Sequence, residues 1–215
     1  MCFHFRITKN GQELEKAVGL KRKPGIHETP VTYVNGFEHP QVWLVRNDAP
    51  EFLQTAQWGL LPHWTIETDM AKHTLNARIE TLVDKPSFKE ILQQRCAIYA
   101  DGFFEWQWLN AQGTSKQKYL ITNNERELFT FAGLYSDWVH PISQKVIPTF
   151  TIVTTEANEL MRDIHNTKKR MPVILHQSDE IHWLSGENHK EFAYPYSCDL
   201  QATPVYEEGQ SLSLF

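Results

Sequence analysis

The second residue of the chain, in MCFHFRITKN, is a cysteine directly behind the initiator methionine. Its side chain is small enough that aminopeptidase removal of Met1 is expected, which would leave a free α-amine and a thiol on adjacent carbons of Cys2. No other residue type supplies that pair of nucleophiles. The competing reading is a buried cysteine that opens a first strand and behaves as a small hydrophobe. Three further stretches set polar groups in apolar company. In ADGFFEWQW, Glu105 lies between Phe104 and Trp106 and shares a strand face with Phe103 and Gln107. A carboxyl partly desolvated by such neighbours has a raised pKa and becomes a proton donor near neutrality; on a wet strand face it would stay ordinary. In KHTLNARIETL, Asn76, Arg78 and Glu80 alternate with Ala77 and Ile79. As a strand this gives one polar face, either a solvated edge or an anion-binding surface. In RDIHNTKKRMPVIL, His165 stands between a helix and a basic turn, where an imidazole either titrates near neutrality and moves protons or is merely structural. Together these residues amount to a nucleophile, a hydrogen-bonding orienter and two acid–base groups.

The elements that must hold them are mostly strands. CFHFRI alternates Cys2, His4 and Arg6 with Phe3, Phe5 and Ile7, the period of a half-buried strand. QVWLVR, TAQWGL, KYLITN, ELFTFAGLYSDW, TFTIVTT and MPVIL carry β-branched and aromatic residues, and RCAIYADGFFEWQW reads as two strands broken near Asp101–Gly102. Helices are expected over Gln12–Val18, over Ser87–Gln94 (Pro86 ahead, Ser87 as cap, Glu90 three residues on), over ANELMRDIH and over QSDEIHWLSG. KPGIHETPVTYVNGFEHP and LPHWTIETD read as loops. This order predicts an α+β class with a largely antiparallel sheet curled toward a barrel, and a single domain over residues 1–215.

The totals exclude several functions. At 215 residues with 41% hydrophobic and 22% charged content, the chain can bury a core and is not a disordered one. No apolar run has the length of a membrane span and no secretory h-region opens the chain, so a cytoplasmic protein without membrane partners is expected, as a monomer. Cys2, Cys96 and Cys198 are far apart, which argues against disulfides and zinc ribbons. Ten histidines form no HExxH or clustered pattern and no glycine-rich phosphate loop occurs, so neither metal nor cofactor is expected. The net charge of −5 means that any nucleic-acid binding must use a local basic surface, such as Lys21–Lys23 or Lys168, Lys169 and Arg170.

The N-terminal MC, WGLLPHW, LNARIET, ADGFFEW, TFTIVTTEAN, IHNTKKRMPVIL and LQATPV, in this order and across nearly the whole chain, resemble the SRAP family (SOS-response-associated peptidases, also called abasic-site processing proteins). The resemblance implies a single α+β domain with a barrel-like core and a groove for single-stranded DNA. There, Met1-free Cys2 would attack abasic sites and close a thiazolidine crosslink, as part of a DNA damage response at the nucleoid. It implies that Asn76 holds Cys2 and the opened sugar, that Glu105 is the acid–base for ring opening and imine formation, and that His165 handles protons in strand scission or crosslink reversal. Arg78 would meet a phosphate, assisted by Lys168, Lys169 or Arg170, and Trp58, Pro62, His63 and Trp64 would stack on or wedge against bases, unless the tryptophans are core. The chain departs from the family pattern at Phe3 and His4, where Gly-Arg is common. It departs again around VTYVNGFEHP, with Asn35 and His39, and in the longer His165–Arg170 spacing. An N-terminal-nucleophile amidohydrolase and a non-covalent reader of modified single-stranded DNA are the alternative functions.

Overall fold

The computed structural model describes residues 2–26 and 32–206. Its first half runs β1 (His4–Arg6), α1 (Gly11–Val18), β2 (Lys21–Arg22), β3 (Tyr33–Asn35), β4 (Gln41–Arg46), β5 (Ala49–Trp58) and β6 (Asn76–Arg78). The centre is four long strands, β7 (Arg95–Ala100), β8 (Gly102–Trp108), β9 (Lys116–Asn123) and β10 (Phe129–Val139), followed by β11 (Val146–Glu156). The chain ends with α2 (Glu159–Ile164), β12 (Arg170–Pro172), β13 (Ile174–Leu175), α3 (Glu180–Leu184) and β14 (Leu200–Val205).

Strands β11, β10, β7, β4 and β5 pair in sequence around a ring, and a parallel contact between β11 and β5 (Phe150 opposite Trp58) closes it. The other ladders in the ring are antiparallel. The first eight residues of β10 are buried on both faces of the strand. Phe129, Phe131 and Tyr135 enter the main core, whereas Ala132 and Leu134 face a second cluster built with Phe88, Ile91 and Trp183. A strand covered on both sides has no wet face to mark with polar residues. Gly133 sits where the barrel wall is tightest: an added Cβ would lie 2.8 Å from the Thr151 carbonyl oxygen.

A second antiparallel sheet, in the order β14-β9-β8-β1-β3, leans on the barrel. The two are joined by the corner between β7 and β8, at the expected Asp101–Gly102 break. Buried Asp101 receives the Arg6 guanidinium and the Thr8 backbone N–H, both at 2.6 Å. The α+β single-chain barrel expected from the sequence is thus present, and α1 has the full capping box of Asn10 and Glu13. The helix expected over Ser87–Gln94 is not formed. Only a 3₁₀ turn spans Lys89–Ile91, without a side-chain cap. Phe88 and Ile91, three residues apart, both enter the second core, and the tighter turn is what aligns them. Among the described residues no helix is long and apolar enough to cross a membrane.

Candidate active site and nucleic-acid face

The site forms where the second sheet meets the barrel, each component arriving on a different element. Cys2, fully buried, precedes β1, whose His4 pairs with Phe104 of β8 on one side and Asn35 of β3 on the other. Asn76 is on β6, fixed by parallel pairing with Ile152 of β11. Its Nδ2 donates to the Cys2 carbonyl at 2.8 Å, while its buried Oδ1 has no hydrogen-bond partner among the described residues. That oxygen is an acceptor held ready in a desolvated place, where leaving it unused costs about 1–3 kcal/mol. Asn76 thus grips the backbone of residue 2 and keeps one acceptor in reserve.

Glu105 follows from strand register. Phe103 and Glu105 share the inward face of β8, and Glu105 is only 5% exposed. Burial pushes its carboxyl up to about 7, the shift expected of a carboxylate deprived of water. Glu105 is also close enough for its charge to add to burial in driving the Cys2 thiol well above its ordinary value. Cys2 is consequently a thiol, not a resting thiolate, and must give up a proton to react.

His165 closes α2, its N–H donating to Met161 at 2.8 Å. Its Nδ1 lies 3.1 Å from the Arg170 N–H and 2.8 Å from the Arg170 carbonyl, so either tautomer is held, and Nε2 sits 4.0 Å from Glu105 Oε2. The sequence suggested titration near neutrality. Burial instead lowers His165 to about 4, so the imidazole is neutral at physiological pH. The longer His165–Arg170 run is accommodated as a loop stapled to β8: Asn166 exchanges two hydrogen bonds with the Trp108 backbone at 2.9 and 3.2 Å.

The residues expected to meet DNA separate into two groups. Trp58 is fully buried, donates to the Leu75 carbonyl at 2.8 Å and stacks on Phe150, and Pro62 is buried too. Both pack the interior, so neither presents a face to a base. Arg170 is buried in a bidentate pair with Glu80 at 2.8 Å and also donates to the Thr154 carbonyl, which commits it to structure rather than to a phosphate. Arg78, Lys168, Lys169 and His63 are exposed, and Trp64 is 46% exposed. Asn76 and Arg78 border a cleft of about 550 Å³ whose walls include Met70, His73, Lys85 and Phe88, with Glu67 and Asp69 at its margin. Asn35 and His39 serve local structure. The first caps the 3₁₀ turn Gly36–Glu38, and the second places Nδ1 2.8 Å from the Trp58 carbonyl oxygen.

Sequence reasoning missed an aromatic shelf beside Cys2. Phe3 packs on Phe37, which is 55% exposed, and His4 contacts Tyr33, Phe37 and Trp106. Lys118 places its ammonium 4.5–5.5 Å from the ring centres of Phe104, Tyr33 and Trp106. The signal was present in the two positions that depart from the family pattern, since Phe3 and His4 are the inner members of this shelf.

Comparison with known proteins agrees with the fold. Abasic site processing protein YoqW of Bacillus subtilis (strain 168) is 40% identical over 146 residues, which is 67% of this chain and 62% of that protein. Abasic site processing protein HMCES of Gallus gallus is 35% identical over 156 residues, 61% of this chain and 45% of that protein. The matches therefore span less than two thirds of the length of these relatives. A crystal structure of a Bacteroides thetaiotaomicron protein superposes with a TM-score of 0.83 at 29% identity, covering 95% of this chain and 92% of that one. A Bordetella bronchiseptica protein shares the fold with a TM-score of 0.78 at 23% identity, over 96% of this chain and all of that one. The family description "SOS response associated peptidase (SRAP)" matches residues 1–209. The chain belongs to the SRAP family.

Proposed function

We propose that this chain processes abasic sites in single-stranded DNA by covalent capture on Cys2 once Met1 is removed. The observation that carries the reading is the convergence on residue 2: Asn76 on its carbonyl, with Glu105 and His165 facing one another 4.0 Å apart in the same buried corner. The proteins it resembles are named for abasic-site processing. A ring-opened abasic site is an aldehyde. The α-amine of Cys2 adds to it, water leaves, and an imine forms. The Cys2 sulfur then bonds to the imine carbon, the π electrons move to nitrogen, and the thiol proton ends there, closing a five-membered thiazolidine with loss of one water overall. Because both nucleophiles belong to one residue, the second step is intramolecular, with effective molarities of about 10⁵ M or more.

Glu105, at about 7, is divided between acid and base at neutral pH. It can donate to the departing oxygen in the first step and accept from the high-pKa thiol in the second. His165, neutral across this range, is a proton acceptor suited to strand scission or to reversal of the crosslink. Arg78, Trp64 and the exposed lysines of the 168–169 turn would hold phosphates and bases around the lesion.

The test is incubation of the Met1-free protein with single-stranded DNA bearing one abasic site, followed by a denaturing gel. A retarded band that survives denaturation and disappears in Cys2→Ala is expected. Absence of any adduct, with turnover of small amides instead, would favour an amidohydrolase. Salt-sensitive binding that is equal in Cys2→Ala, again without adduct, would favour a non-covalent reader.

A further inference from the structure

On the far side of the second sheet, three potential metal ligands meet from three separate segments. Glu125 lies in the turn between β9 and β10, His176 follows β13, and Cys198 directly precedes β14. One donor atom from each lies within 4.8 Å of the other two. His176 Nδ1 is 3.6 Å from Cys198 Sγ and 3.1 Å from Glu125 Oε2. With Zn–S of about 2.3 Å and Zn–N or Zn–O of about 2.0–2.1 Å, the edges of a tetrahedral site are about 3.5 Å for S···N and about 3.4 Å for N···O. Two edges of such a tetrahedron, both meeting at His176 Nδ1, are therefore already close to their coordinated lengths, and the Glu125–Cys198 edge lies within 4.8 Å. We propose that Glu125, His176 and Cys198 bind a divalent transition metal of the zinc class, with the fourth position open to solvent or an exogenous ligand.

The surroundings fit this role better than that of a surface ion pair. The backbone N–H of Asp199 lies 3.4 Å from Glu125 Oε1, leaving Oε2 for the site. His176 is braced at both ends, its N–H donating to the Tyr196 hydroxyl at 2.9 Å and its ring set edge-on against Tyr196. The Tyr196 hydroxyl in turn donates a hydrogen bond to the Asp179 carboxylate at 2.9 Å. Buried Asn123 supplies the second, independent indication. Its side-chain oxygen accepts from the Glu125 backbone N–H at 2.8 Å, and its Nδ2 has no acceptor among the described residues. Coordination would expel the thiol proton, now directed at the Ile174 carbonyl 3.4 Å away. Soft sulfur, imidazole nitrogen and one carboxylate together select Zn²⁺ over Mg²⁺ or Ca²⁺. The expectation of no metal site rested on motif spacing, which cannot register ligands contributed one at a time by distant segments. A bound ion would tie β14, an edge strand paired only with β9 among the described residues, to the segment after β13.

The full chain, stripped with chelator, would be titrated with Co²⁺ alone and then with Zn²⁺. The expected result is one Co²⁺ per chain with a thiolate-to-metal absorption band, bleached by Zn²⁺, unchanged in Cys2→Ala and lost in Cys198→Ser. Glu125→Gln, an exposed position whose far-ultraviolet dichroism should match the parent, is expected to weaken Zn²⁺ binding at least about tenfold. Absence of the band at saturating Co²⁺ would overturn the proposal. So would a band that survives Cys198→Ser but not Cys2→Ala, or unaltered affinity in both Glu125→Gln and His176→Gln.

Discussion

The buried acid–base pair makes a quantitative demand on stability. Glu105 moves from 4.5 to about 7 on folding, so between these values the native state holds a proton that the unfolded state has released. Its contribution to stability is complete below pH 4.5 and is lost as pH rises through 7. For a group so deeply buried, a shift of this size corresponds to about 3 kcal/mol. His165 does the reverse, because its pKa falls from 6.5 to about 4: protonation of the unfolded state penalises folding at acid pH, and stability recovers as pH climbs through the same window. Discounted for residual solvent, that term is on the order of 2 kcal/mol. In the wild type the two slopes largely offset. Glu105→Gln removes only the first, so its stability relative to wild type should rise by about 3 kcal/mol between pH 4.5 and 8, about 6–12 °C in Tm for a chain of this size. His165→Gln should tilt the wild-type profile the other way. Urea unfolding followed by tryptophan fluorescence at half-unit pH steps measures both, provided m stays constant. Parallel pH profiles for wild type and Glu105→Gln would refute the argument, since they would mean that Glu105 is ionised in the folded protein at ordinary carboxylate pH.

Other positions give sharper contrasts. Trp58→Ala should cost about 3–5 kcal/mol of stability, whereas Trp64→Ala should leave stability within about 0.5 kcal/mol and instead weaken single-stranded DNA binding by about 1–3 kcal/mol; thermal melts and a binding titration separate the two. Glu80→Ala strands the buried Arg170 guanidinium and should destabilise by about 2–3 kcal/mol, read by denaturant titration. Replacing Lys168 and Lys169 together by Ala should leave the melting curve in place and lower the slope of log Kd against log salt by about 1.4, the loss expected if each meets a phosphate of a single strand. An unchanged slope would remove both from the DNA face.

The path from sequence to site was uneven for physical reasons. Residue-type alternation put Glu105 on one face of β8 with Phe103 and Gln107, although burial along β8 does not itself alternate, and the Asp101–Gly102 break marked the corner. Asn76 was visible as a polar member of an alternating run. The same alternation could not separate Trp58 from Trp64, since depth depends on which strand closes the barrel, and that closure is a long-range parallel contact. Arg170 read as part of a basic turn because Glu80, its partner, lies in a different segment. The Ser87–Gln94 stretch carried helix-start residues, but two core side chains three apart imposed a tighter turn. The aromatic shelf was hidden for a similar reason: Tyr33, Phe37 and Trp106 become neighbours only when β3 and β8 flank β1.

The burial of Cys2 also has a consequence in time. Residue 2 is synthesised well before the strand that flanks it and the asparagine that grips it. β8 is complete only after residue 108. At synthesis rates of about 5–20 residues per second, the end of the chain waits on the order of 5–20 s before its pocket can exist. Under the proposed function, that interval is when Met1 would be removed without hindrance from the fold. Once β1 has docked between β3 and β8, the bond to be cut adjoins a fully buried residue. Under the proposed capture on Cys2, removal of Met1 during translation would meet less obstruction than removal after folding.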